Sequence, residues 1–227
     1  MMMNMFSMFD TSTNMTFECN WSSSIMMTLI YPYPYWLYPS HYTLWFNYLM
    51  NLLNKEFKMI LNNKFNYLNS IYYITLFMVI LINNFMGLFP YIFTSSSHMI
   101  FALSMALPLW LSLMMWGWKN NMNHMFSHMI PQSTPNMLMP FMVLIESISN
   151  IIRPLTLTIR LTANMIAGHI LLTLLSQSAS SNSFLMITLL ITLIQMILLI
   201  LEFSVSIIQS YVFSILSTLY TKEINYV

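Results

Sequence analysis

Charge is what this sequence has least of. Of its 227 residues, 7 are Lys or Arg and 6 are Asp or Glu, 6% in all. Soluble domains carry about 25%. Such a chain cannot clothe an ordinary water-facing surface, so a normal soluble domain is excluded. The net charge of +1 gives no reason to expect nucleic-acid binding. Cysteine is nearly absent too. Cys19 stands alone, which excludes a disulfide framework and a cysteine-based metal site. There are only 3 glycines, so no Gly-rich loop exists to cradle a phosphate. The opening MMMNMFSMFDTSTNMTFECN contains neither Lys nor Arg, unlike a secretory signal or an Arg-rich transit peptide.

What fills the chain is apolar. Hydrophobic residues make up 58% of it, which indicates an integral membrane protein. The length allows roughly five or six spans of about 20 residues, with no room for a separate soluble domain. The 25 methionines, with abundant Asn and Ile, suggest an AT-rich organelle genome and synthesis inside the organelle.

The expected organisation is a single integral membrane domain over 1–227, all-α, with about five or six helices. Residues 1–20 form an N-terminal segment. Residues 21–53 hold a first membrane helix near 22–38, bent or shortened by the prolines of YPYPYWLYP (31–39). An interfacial aromatic segment is the alternative there. NKEFKMILNNKFNYLN (54–69) places Phe57, Ile60, Leu61 and Phe65 at helical spacing among Lys55, Lys58 and Lys64. That pattern predicts an amphipathic helix on a membrane surface, with a solvated linker as the alternative. Residues 70–118 contain two spans, 70–93 and 99–118, and 118–136 is a polar loop. Two long apolar stretches, 138–175 and 184–220, are joined by SQSASSNS and form an antiparallel hairpin over 138–220. About 35 helical residues cover roughly 50 Å. The hydrocarbon core is about 30 Å thick, so these helices must tilt steeply, bend or break. The lysine-bearing loops and the C-terminus fall on one side, the matrix or cytoplasmic side by the positive-inside rule.

The few charges in the hairpin need a reason, because each costs about 2.5–3.5 kcal/mol at the centre of a membrane helix. Glu146, Arg153, Arg160 and Asn164 are separated by 7, 7 and 4 residues, so they share one helix face. His169, nine beyond Arg160, lies roughly opposite. In the second arm Thr188, Gln195, Glu202 and Gln209 recur every seven residues as a polar stripe. Two such stripes face each other or line a wet path. Snorkelling to an interface is the bland reading of Arg160. A lipid-contacting or structural role is open for Arg153.

RLTANMIAGH (160–169), preceded by ESISNIIRPLTLTI (146–159), resembles the signature of the mitochondrial ATP synthase subunit a family. LEFSVSIIQSYVFSIL (201–216) resembles the second long helix of that family, and NNFMGLFPY (83–91) and ALPLW (106–110) its earlier spans. The resemblance implies a stator in the mitochondrial inner membrane. Its partners would be a ring of c subunits, a peripheral stalk, other Fo membrane subunits and lipid. No cofactor and no catalysis within the chain are implied. Arg160 would be the essential arginine facing the ring carboxylates. His169 and Glu202 match positions along the half-channel from the intermembrane space, and Glu146 and Glu223 match acidic positions near the matrix half-channel. Asn164, Gln209, Gln195 and Arg153 would be supporting polar residues. The rival expectation is a proton-transfer or quinone-site subunit of a respiratory complex. Such a chain should carry lysines within its spans, whereas here every lysine lies in a loop or near an end.

Overall fold

The computed structural model describes all residues except 1–5, 7, 8, 13–18, 33, 34, 62–66, 90, 91, 131–134, 182, 183 and 225–227. Seven α-helices occur among the described residues: α1 (Ser23–Ile30), α2 (His41–Leu61), α3 (Tyr67–Gly87), α4 (Met99–Asn120), α5 (Met122–His128), α6 (Met139–Ser181) and α7 (Leu185–Ile224). Four segments among them are long and apolar enough to cross a membrane: Asn69–Gly87, Met99–Asn120, Met139–Ser180 and Leu185–Ile224. The chain is a multi-pass, all-α membrane protein.

The N-terminal third departs from expectation. The helix foreseen near 22–38 is only 8 residues long and stops at Tyr31, whose ψ of 127° is extended. Tyr31 precedes Pro32, and a residue before proline is pushed out of the helical region by the proline ring. At about 1.5 Å per residue this helix reaches roughly 12 Å, too short to span. The next helix starts at His41. The Ser40 hydroxyl accepts from the Thr43 backbone N–H at 3.3 Å, and the Thr43 hydroxyl donates to the Ser40 carbonyl at 2.8 Å. This is N-terminal capping, and nothing from His41 to Leu61 interrupts the helix. The surface helix expected over 54–69 is therefore not a separate element. Residues 54–61 are the last turns of α2, with Phe57 and Leu61 buried. Lys64 and Phe65 lie outside the described residues, and α3 begins at Tyr67.

The later elements fall near their expected places. Two changes extend them. α5 lies within the stretch read as a polar loop. The serines of SQSASSNS continue α6 instead of ending it. Ser176, Ser178 and Ser180 donate to the carbonyls of Thr173, Leu175 and Gln177, so their hydroxyls need no water. Helices of 43 and 40 residues run about 65 and 60 Å. Both far exceed a bilayer core.

The core joins Phe57 and Leu61 of α2, Tyr73 and Ile80 of α3, Ala102 and Ala106 of α4, Leu157 and Leu161 of α6 and Phe213 of α7. α7 packs mainly on α3 and α6. Its buried face is not greasy. Ser206, Ser210, Ser214, Ser217, Thr218 and Thr221 are all buried. Each donates its hydroxyl to a carbonyl three residues back. Small side chains allow close approach of helix backbones, which is how helices associate where lipid removes the hydrophobic drive. Most large apolar residues of α7 from Leu185 through Leu201 are exposed instead, Ile191 being buried and Leu198 half-buried.

Candidate functional site

The polar residues of the hairpin gather into two groups with Arg160 between them. The first lies around Arg153. Its Nη1 donates to Glu223 Oε2 at 3.0 Å and its Nη2 to Glu146 Oε1 at 3.4 Å. The guanidinium carbon also stands 5.3 Å from the centre of the Tyr220 ring. Arg153 precedes Pro154, which sits inside α6 and is buried. One arginine thus ties the start of α6 to the end of α7. All three charged partners are partly exposed, so the bridges position more than they stabilise. They border a cavity of about 440 Å³ whose lining includes Trp118, His124, Glu146, Arg153, Tyr220 and Glu223.

The second group lies on the other side of Arg160. Asn164 Nδ2 donates to Gln209 Oε1 at 3.2 Å, linking the two long helices. Gln209 is buried and its Nε2 has no partner among the described residues. A cavity of about 280 Å³ is lined here by Asn84, Asn164, Gly168, Glu202, Ser206 and Gln209, among others. Both carboxylate oxygens of Glu202 are buried without a hydrogen-bond partner among the described residues. His169 is 8% exposed. The Gly87 backbone lies within reach of its ring, and its Nε2 is buried and unpartnered among the described residues. Unmet polar atoms bordering a cavity have room for water or a passing proton carrier.

Glu202 can lie there because residue 168 has no side chain. A Cβ at Gly168 would stand 2.7 Å from Glu202 Oε1 and 2.8 Å from its carboxyl carbon. Any Cβ here would push the carboxylate, the far end of a flexible side chain, away from this position.

Arg160 borders neither cavity. Its side chain is exposed, and among the described residues it makes no ion pair or hydrogen bond. Its helix face, with Thr156, Ile159, Ala163 and Asn164, is open along its length.

The residues singled out by spacing therefore meet in part. Arg153, Glu146 and Glu223 form one group, and Asn164, Gln209 and Glu202 another; His169 lines neither cavity and lies against Phe9 and the Gly87 backbone. Gln195 is half-buried and borders neither cavity. Sequence reading missed Gly168, Asn84 and Tyr220. The signals existed: Gly168 is one of only 3 glycines, and Asn83–Asn84 interrupts an apolar helix. Asn84 is 1% exposed, with its Oδ1 unpartnered among the described residues.

A family model described as ATP synthase A chain matches residues 21–222. The chain is 54% identical over 225 residues to ATP synthase subunit a of Drosophila melanogaster, covering 99% of this chain and 100% of that one. It is 51% identical over 226 residues to ATP synthase subunit a of Anopheles quadrimaculatus, again across 99% and 100% of the two chains. The subunit a of Locusta migratoria is 53% identical over 226 residues with the same coverage. End-to-end identity at this level, on a fold whose two longest helices carry the polar groups just described, leads to one conclusion: the chain belongs to the ATP synthase subunit a family.

Proposed function

We propose that this chain is the non-catalytic, proton-conducting stator of the Fo sector in the mitochondrial inner membrane, a single membrane domain in which two offset half-channels meet a c-ring on either side of Arg160. The observation that carries this reading is the arrangement of the cavities. One opens beside Glu146, Arg153 and Glu223, the other beside Asn164, Gly168 and Glu202, and Arg160 falls between them on an uncovered helix face. A continuous pore would leak. Two separate recesses with a fixed cation between them force the proton onto a carrier that moves from one to the other.

In this reading a ring carboxylate arrives protonated. The nearby guanidinium favours its ionised form, so the proton departs as the carboxyl group nears Arg160. It passes as a carboxylate and takes up a proton from the other recess. Guanidinium remains charged at every relevant pH, so Arg160 acts as a fixed charge and relays nothing. His169 and Glu202 serve the recess from the intermembrane space, and Glu146 and Glu223 serve the matrix recess. Arg153 fixes the two matrix-side carboxylates. Asn164 and Gln209 hold the long helices together beside Arg160. The lysine-bearing loops and the C-terminus face the matrix.

Ala163 is exposed and lies one turn beyond Arg160 on the same helix face. In the intact complex, with Cys19→Ser to remove the natural thiol, Ala163→Cys is expected to cross-link under mild oxidation to a cysteine placed next to the ring carboxylate. Failure to form that bond with any ring position near the carboxylate would remove the rotor from this face.

Gly168→Ala tests the inlet. Alanine favours helix over glycine by about 1 kcal/mol, so assembly should hold. The new methyl group must displace the Glu202 carboxylate, whose oxygen lies 2.7 Å from the Cβ position. Proton flux through Fo at fixed potential is expected to fall severalfold. Unchanged flux would show that the position of Glu202 against α6 does not matter.

A further inference from the structure

We infer that Phe9 is a positioning residue that covers His169 and limits its contact with water at the outer end of the inlet; this rests on the reading of His169 as part of that inlet. The Phe9 ring meets the imidazole edge to face, with centroids 6.4 Å apart and planes at 83°. His169 is 8% exposed, and its Nε2 has no water-accessible surface. A buried imidazole nitrogen without a partner is costly, so its surroundings must hold it there.

The described residues on either side of this contact are tied to the same end of the molecule. Asn20 Nδ2 donates to the carbonyls of Thr11 at 2.9 Å and Asp10 at 3.4 Å. Asn20 opens a turn of 3-10 helix, Asn20–Ser22. Trp21 in that turn packs on Phe93 and His98, with centroids 5.8 and 5.5 Å apart. Ser23 Oγ donates to the Phe93 carbonyl at 3.0 Å. Phe93 and His98 belong to the connection between α3 and α4, whose α3 end supplies the Gly87 backbone beside His169. Phe9 is thus brought to the imidazole from a segment distant in sequence, by hydrogen bonds and ring contacts on the loop that borders the same histidine.

A single edge-on ring contact is weak enough to open and close thermally. It acts as a shield and not a seal. Proton exchange between His169 and the aqueous side then depends on how often Phe9 moves aside. The spacing of charges along the long hairpin contains none of this, because the shield comes from the other end of the chain.

The test uses the intact complex carrying Cys19→Ser and His169→Cys. A membrane-impermeant, anionic methanethiosulfonate is added from the intermembrane-space side, and the rate of labelling is compared with and without Phe9→Ala. Labelling should rise severalfold on removal of the ring and return to the slow rate with Phe9→Tyr. A chain that had merely loosened would not be rescued by the aromatic replacement. With His169 intact, Phe9→Ala should change proton flux through Fo severalfold. Unchanged labelling, or fast labelling that persists in Phe9→Tyr, overturns the shield alone. Faster labelling with unchanged flux overturns the role of His169 in the inlet, and the shield loses its purpose with it.

Discussion

Replacing Arg160 with Ala is expected to reduce proton-driven ATP synthesis to background while the complex still assembles. Assembly should survive because the side chain is exposed and unpaired among the described residues. Substitutions at such positions usually change stability by no more than about 0.5 kcal/mol. Synthesis should not survive, because nothing else among the described residues supplies a cation between the two recesses; Arg153 is engaged with Glu146 and Glu223. Without the guanidinium a ring carboxylate has no reason to release its proton there, and protons gain a route between the recesses. A charge crossing 100 mV yields about 2.3 kcal/mol, and a leak dissipates it. Proton conductance uncoupled from synthesis should therefore appear as synthesis disappears. Arg160→Lys should fare little better, since an ammonium group loses its proton far more readily than guanidinium when desolvated. Assembly, synthesis and membrane conductance together check this. Normal synthesis in the alanine variant would refute the assignment.

Glu202→Gln is expected to slow proton flux by about a hundredfold, the low end of what positioned acid–base groups contribute. The replacement keeps shape and volume but cannot take up and release a proton. Both oxygens of Glu202 lie buried at a cavity wall without partners among the described residues. An amide there demands no new packing, and the complex should assemble. Flux at fixed potential, measured against the Gly168→Ala variant, separates loss of the titrating group from loss of its position. Flux equal to that of the parent complex would take Glu202 out of the path.

The parts of this fold that were legible in the sequence are those governed by simple length and spacing. Spacing put Asn164 and Gln209 on two separate polar stripes, and the hydrogen bond between them shows that the stripes meet at this level. The charges of α6 stood out because each is costly in lipid. At the beginning of the chain the prolines of 31–39 were legible as a bend or a shortening, but not that they leave only 8 residues of helix before Tyr31 and a new helix from His41. Tyr31 through Ser40 reads as apolar and aromatic, yet Pro32 ends one helix and Ser40 caps the next. Hydropathy alone merges what local backbone chemistry divides. Gly168 shows a second limit. Its need for bare backbone arises only when Glu202, 34 residues later, folds back upon it. The contact of Phe9 with His169 is more distant still.

The seam of serines and threonines on α7 has a mechanical consequence. It begins at Ser206 and runs to Thr221, whereas from Leu185 to Val205 the only buried residue is Ile191. One half of a rod about 60 Å long is packed along its length, and the other half is held at a few points, among them Ile191, Phe203 against Phe85 and Glu202 against Gly168. A sideways load on the less packed half becomes a bending moment on the other, where small side chains let backbones approach closely. In the proposed stator role, the stiffness that opposes a rotor would come from the smallest side chains in the helix.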